Sequence, residues 1–231
     1  MIDLDRSVIP DSEDYVGADP FPHAVMDGLF PERALREISE LFPGPSDIDW
    51  VRFENQKEIK LGFHHRSLYE LASPIREFLY FMNGPVMLEV LERLTGIDGL
   101  IPDPYFGGGG LHQILPGGFL EVHADFNWHP VLRLDRRLNV LIYLNDDWEE
   151  EFGGHLELWS RDLERCVKRI LPVWNRTVVF STTDYSYHGH PEPLRCPVGR
   201  SRRSLSFYYY TNGRPEHEQS AAHDTLFRET A

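Results

Sequence analysis

From Gly110 onward the chain is a close succession of short apolar segments cut by turn residues, and few folds accept that pattern. The segments are 111–115, 119–126, 138–144, 155–159, 167–171, 177–180 and 204–210. Pro116-Gly117-Gly118, Asn145-Asp146-Asp147, Gly153-Gly154, Trp174-Asn175 and a proline-rich stretch over 191–199 separate them. Each segment has strand length, and such a series suggests a closed or sandwiched β-fold, for which a small barrel or jelly roll covered by the N-terminal helices would fit. Alternation sharpens this in 138–144. Leu138, Val140, Ile142 and Leu144 make one wholly aliphatic face, suited to packing against helices. Asn139, Leu141 and Tyr143 make the other, suited to a barrel interior where a ligand would sit.

The first hundred residues read differently. Leu35, Ile38 and Leu41 recur at helical spacing after Pro31 and before Phe42-Pro43. A longer helical pattern runs from Pro74 to Leu94, with Asn83-Gly84-Pro85 as its break. Segments 50–53 and 57–63 look like short strands, and the glycine run 107–110 like a flexible connection. The expected fold is therefore mainly β with N-terminal helices, in which residues 1–19 are an acidic extension and residues 213–231 a polar tail. Helical support over 31–97 and a β-core over about 105–212 would form one domain, residues 20–212.

Composition narrows the class of function. A net charge of −14 lacks the basic footprint of a nucleic-acid binder. No apolar run has the length of a membrane span, and the start MIDLDRSVIPDSEDY lacks the apolar stretch of a signal peptide. The two cysteines, Cys166 and Cys196, are too few for a disulfide framework. A cytoplasmic protein without membrane or nucleic-acid partners is expected, and its oligomeric state is open.

The chemistry-bearing residues cluster in the β-half. His123-Ala-Asp125 lies on a candidate strand, so both side chains point to one face and can grip one metal. A third ligand must come from another strand, and His188-Gly-His190 supplies two candidates that share a face. Two imidazoles and one carboxylate are the donor set of mononuclear non-haem iron, with further coordination positions left open. Arg202 follows at the head of the last strand, between Arg200, which shares its parity, and Arg203, which should point away.

In combination, His123-Ala-Asp125, the strand ending Tyr143-Leu-Asn-Asp-Asp-Trp148, Gly153-Gly154-His-Leu156, a later histidine and Arg202-Arg-Ser-Leu-Ser-Phe-Tyr-Tyr-Tyr210 resemble the prolyl-4-hydroxylase-like branch of the Fe(II)/2-oxoglutarate-dependent dioxygenases. The opening Pro20-Phe-Pro-His-Ala-Val-Met-Asp27 resembles it too. The resemblance implies a double-stranded β-helix (jelly-roll) core packed against helices. It implies Fe(II) on His123, Asp125 and His188, with His190 as rival; an aromatic before and a glycine after His188 match the family pattern. It implies 2-oxoglutarate as cosubstrate, its distal carboxylate held by Arg202 and Tyr143, with Leu141 and Leu156 as apolar wall. O2 would be the oxidant and ascorbate an accessory reductant. Asp125 fills the position that related halogenases leave to Gly or Ala, so hydroxylation of an unactivated C–H is the expected reaction, releasing succinate and CO2. The substrate would be a small molecule, amino acid or prolyl/peptidyl group, under lid segments 126–135, 182–187 and 53–63. The other reading is a non-catalytic cupin-like barrel that binds a metal or small ligand, which has no use for an arginine–tyrosine clamp.

Of the remaining histidines, His112, His129 and His155 read as structural, and His23, His64, His65, His217 and His223 carry no functional reading.

Overall fold

The turn-rich half of the sequence folds as one curled antiparallel sheet, and the helical half packs on its outside. The computed structural model describes residues 2–63 and 65–230, so His64 lies outside the described residues. Helices are α1 (Ser12–Val16), α2 (Glu32–Glu40), α3 (Ser73–Met82) and α4 (Pro85–Thr95). Early strands are β1 (His23–Asp27), β2 (Val51–Glu54), β3 (Glu58–Gly62) and β4 (Ile101–Pro102). The core follows as β5 (Gly110–Ile114), β6 (Phe119–Ala124), β7 (Trp128–His129), β8 (Leu134–Tyr143), β9 (Leu156–Trp159) and β10 (Cys166–Ile170). It is completed by β11 (Arg176–Ser181), β12 (His188–His190), β13 (Arg202–Thr211) and β14 (Leu226–Phe227).

The strand order is β1-β11-β8-β13-β5-β3-β6-β12-β9-β10, with β14 on β6, β2 on β3, β4 on β13 and β7 on β8. The result is a half-barrel, the form expected of a jelly-roll core, and its concave face encloses a cavity.

Alternation decides which side faces the helices. Leu138, Val140, Ile142 and Leu144, with Leu205, Phe207 and Tyr209 of β13, join Ile75, Phe78, Leu79, Met82, Met87, Val90, Leu91 and Leu94 in one cluster. Each such side chain contributes about 1.5–3 kcal/mol when removed from water. The Tyr209 hydroxyl donates to the Met82 carbonyl at 2.9 Å and so pins β13 to the end of α3. The break between α3 and α4 falls at Asn83-Gly84, as expected, because Pro85 lacks an N–H and fits only a first helical turn.

Three segments at the ends and joints are built into the fold. The acidic first 19 residues are packed: Leu4 and Tyr15 enter the main cluster, and the Tyr15 hydroxyl lies 2.9 Å from Ser181 Oγ. The glycine run is a built turn, since the Asp103 carboxylate accepts from the backbone N–H of Tyr105 at 2.8 Å and of Gly107 at 2.6 Å. The polar segment after Gly213 returns to the sheet, where Leu226 pairs with Ala124 and Phe227 with His123.

Candidate active site

His123, Asp125 and His188 converge because β6 and β12 pair with His188 directly opposite His123. Gly189 makes that approach possible. A Cβ there would stand 2.9 Å from both the Glu121 and Leu120 carbonyl oxygens and 3.0 Å from Val122 Cα. The two imidazole rings are 4.4 Å apart. His123 Nε2 lies 3.6 Å from one Asp125 oxygen and His188 Nε2 lies 3.5 Å from the other. One potential ligand atom from each residue falls within 4.8 Å of the others.

Both rings are held in the orientation a metal needs. His123 Nδ1 contacts the Glu121 carbonyl at 2.8 Å and His188 Nδ1 the Ser186 carbonyl at 2.9 Å. A carbonyl can only accept, so Nδ1 carries the proton in each ring and the Nε2 lone pair is left for a cation. Burial, then the neighbouring His123, lower the His188 pKa to about 4, which keeps the ring neutral. Two neutral imidazoles and one carboxylate, gathered in this way, are a donor set that fits Fe(II).

Asp125 is supported from behind. Asn139 Nδ2 donates to its Oδ2 at 2.7 Å, and Arg136 Nη2 lies 3.1 Å from the same oxygen. Arg136 also donates to Asn139 Oδ1 through Nε and Nη2. Its guanidinium is 1% exposed and sits between the Phe126 ring, 4.3 Å away, and the Tyr208 ring, 3.6 Å away. Burial pushes the Asp125 pKa up, but Arg136, His188 and His123 outweigh it and hold the carboxyl well below its ordinary value.

Strand parity alone hid Arg136. In β8 Asn139 and Leu141 line the cavity, a parity that would put Arg137 inward. The register with β13 slips between Tyr209, opposite Leu138, and Tyr210, opposite Arg136. The extra residue reverses the faces, so Arg136 enters the site while Arg137 reaches outward to Thr211 and Glu218.

The far end of the cavity holds Arg202, the first residue of β13. Its Nε donates to the Gly154 carbonyl at 2.8 Å and its Nη2 to the Tyr143 hydroxyl at 3.2 Å. Among the described residues no carboxylate forms a salt bridge with it. Burial lowers its pKa and raises that of Tyr143. Gly154, at φ 71°, leaves room for the arginine, because a Cβ there would come within 3.0 Å of Arg202 Cδ. Arg200 instead bonds the Asp146 carbonyl outside the cavity, and Arg203 donates its backbone N–H to Asn145. Leu141 and Leu156 line the wall between the two ends, with Ser204, Ser206, His112 and His190. His112 thus faces the cavity rather than serving a purely structural role. Burial, with Lys60 next, brings its pKa to about 3. His129 and His155 are tied to Asp103 and Glu150 as structural groups.

The cavity has a volume of about 360 Å³. Phe53, Glu58, Lys60, Phe63 and Phe126 reach it from the expected lid segments. Residues 182–187 do not, and neither do Trp128 and Arg133. Asp184 instead anchors the C-terminal segment by accepting from Ser220 and contacting His223, each at 3.0 Å. That segment delivers Thr225 and Phe227 to the cavity, and the Phe227 ring lies 5.5 Å from His123. A two-residue apolar step in a polar stretch carries no pattern by which this strand could be recognised in the sequence.

Residues 109–210 match the family model described as the 2OG-Fe(II) oxygenase superfamily. The mouse (Mus musculus) protein named prolyl 3-hydroxylase OGFOD1 is 33% identical over 79 residues, which span 32% of this chain and 14% of that protein. A Pseudomonas putida prolyl-4-hydroxylase structure is similar at a TM-score of 0.62 and 18% identity, covering 87% of this chain and 97% of that one. HygX from Streptomyces hygroscopicus, solved with nickel, 2-oxoglutarate and hygromycin B, is similar at a TM-score of 0.54 and 12% identity, covering 88% and 92%. Both structures share this chain's fold.

Proposed function

We infer that this chain, whose residues 109–210 match the 2OG-Fe(II) oxygenase superfamily, is a 2-oxoglutarate-dependent hydroxylase of the prolyl-4-hydroxylase-like type, and we assign from that reading the roles of its residues and the class of its substrate. His123, Asp125 and His188 would hold Fe(II), supported by the paired Nδ1–H groups that leave two Nε2 lone pairs beside one carboxylate. Arg202 and Tyr143 would hold the distal carboxylate of 2-oxoglutarate. A guanidinium fork suits that group, and Arg202 is buried with a hydroxyl and a carbonyl as its hydrogen-bond partners. That observation carries the proposal, because a buried arginine so placed calls for an anion. It also weighs against the non-catalytic cupin-like reading. When bound, iron and 2-oxoglutarate supply the oxidising chemistry, converting O2, cosubstrate and a substrate C–H into succinate, CO2 and an alcohol.

The protein's own contribution is placement and exclusion of water. Arg136 and Asn139 keep Asp125 ionised and aimed. Leu141 and Leu156 keep the space between metal and arginine dry. Phe53, Phe63, Phe126 and Phe227 line the cavity, which suits a compact aliphatic group such as a prolyl ring, in a peptide or a small molecule. The mouse relative's name as a prolyl 3-hydroxylase supports the prolyl choice. Ascorbate would serve as accessory reductant. Cys166 and Cys196 are free thiols, which suits a reducing cytoplasm. No helix among the described residues is long and apolar enough to cross a membrane.

The test is anaerobic addition of Fe(II) and 2-oxoglutarate, read by the visible charge-transfer band, followed by succinate release in air with proline-containing peptides and small metabolites. Absence of both band and succinate would refute the assignment. His188→Ala should abolish the band; retention there with loss in His190→Ala would move the third ligand to His190.

A further inference from the structure

Among the described residues, a buried histidine facing the cavity lacks a hydrogen-bond partner. His190 follows His188 on β12 and lines the cavity, yet is only 4% exposed, and neither of its ring nitrogens has a hydrogen-bond partner. Buried polar atoms are almost always paired, so an imidazole with two orphan nitrogens requires an explanation. His188 shows the contrast, its ring fixed by the Ser186 carbonyl and packed edge-on against Phe180 at 4.6 Å.

The neighbourhood indicates what the partner is. His190 lines one cavity with His123, Asp125 and His188 of the triad and with His112 and Arg202. It stands two residues beyond His188 on β12, where the pairing with β6 shifts register. Arg202, with no carboxylate salt bridge among the described residues, makes an anion the fitting ligand for this lining. A dicarboxylate held at the triad and at Arg202 would lie in the same cavity as His190.

We propose that His190 is a cosubstrate-binding residue whose ring N–H donates to a 2-oxoglutarate oxygen, so that its hydrogen bonding is completed only when the cosubstrate is bound. The inference rests on the reading that this cavity takes 2-oxoglutarate. It makes an unusual pair of demands on one substitution. Removing the imidazole takes an unpaired polar group out of the apo-protein, yet takes a donor away from the ligand.

The experiment uses the full chain with Mn(II) in place of iron, so that no turnover is needed. His190→Leu is compared with wild type by chemical denaturation of the apo-protein, by Mn(II) titration and by calorimetric titration of 2-oxoglutarate onto the Mn(II) form. The expected result is apo stability equal to or above wild type, unchanged Mn(II) affinity, and a roughly tenfold or greater rise in the 2-oxoglutarate Kd. His190→Gln, which keeps an N–H, should recover part of that loss. If His190→Leu does not fold, His190→Ala takes its place in the same measurements. An unchanged Kd overturns the proposal and leaves water as the partner of His190. Loss of Mn(II) binding also overturns it, by making His190 a metal ligand. Failure of wild type itself to bind 2-oxoglutarate would instead strike the parent reading, and it is seen without any variant.

Discussion

Arg136→Met is the substitution whose consequences the structure specifies most fully. It removes a guanidinium that touches Asp125, Asn139 and two aromatic rings, and leaves Asp125, a carboxylate whose side chain is 10% exposed, with only the Asn139 amide behind it. Methionine is flexible and packs well on aromatic rings, so lost volume is a minor part of the effect. Breaking one side of a buried ion pair costs about 3–5 kcal/mol. In a protein of this size that corresponds to a fall of roughly 6–20 °C in Tm. A divalent cation at the triad would replace the missing positive charge. Mn(II) should therefore stabilise the variant by more degrees than it stabilises wild type. The loss should also shrink at acid pH, where Asp125 of the variant, freed from the guanidinium that lowers its pKa, takes up a proton. Thermal and urea denaturation with and without Mn(II), at neutral and acid pH, give all three quantities. An apo variant within about 1 kcal/mol of wild type, or a metal-induced gain no larger than that of wild type, would refute the coupling between Arg136 and Asp125.

Gly189→Ala should destabilise by about 1–3 kcal/mol, because its Cβ meets backbone atoms that cannot rotate away. It should also weaken Mn(II) binding by separating His188 from His123, and wild-type metal affinity in a folded variant would contradict that reasoning. Tyr143→Phe removes the hydroxyl beside Arg202 and should raise the 2-oxoglutarate Kd by about tenfold with Mn(II) affinity unchanged, both read by calorimetry. Acid should destabilise the apo-protein. The folded pKa values of His188 and His112 are depressed to about 4 and 3, so the unfolded chain binds more protons below pH 6.5. Stability is full above that pH and falls toward pH 4 by about 1.4 kcal/mol per unit for each histidine, with Asp125 adding to the loss at lower pH; a flat urea midpoint between pH 6.5 and 4.5 would contradict this. Phe227→Ala, which opens the mouth beside His123, should alter KM for the organic substrate while sparing Mn(II) and 2-oxoglutarate binding.

How much of this could be read from the chain depends on how local each determinant is. The faces of 138–144 follow from two-residue alternation, and the gap between α3 and α4 follows from one proline that lacks an N–H. His123 and Asp125 share a face for the same local reason. Where a determinant lies in another strand, the sequence is silent. Arg136 rather than Arg137 enters the site because of a one-residue slip against β13. Asp184 holds the C-terminal segment instead of facing a substrate, and residues 1–19 pack on the core through Tyr15.

The sequence by itself therefore determined the mainly β architecture, the helix-facing side of its central strand, and a stock of candidate metal- and carboxylate-binding residues confined to the β-half. These are properties of spacing and side-chain chemistry. Only the tertiary structure decided which histidine lies opposite His123, which arginine is buried beside Tyr143, what stands behind Asp125, and that the last strand borders the His123–Asp125–His188 cluster. Each of those depends on register between segments far apart in the chain. A shift of one residue in that register exchanges inside for outside.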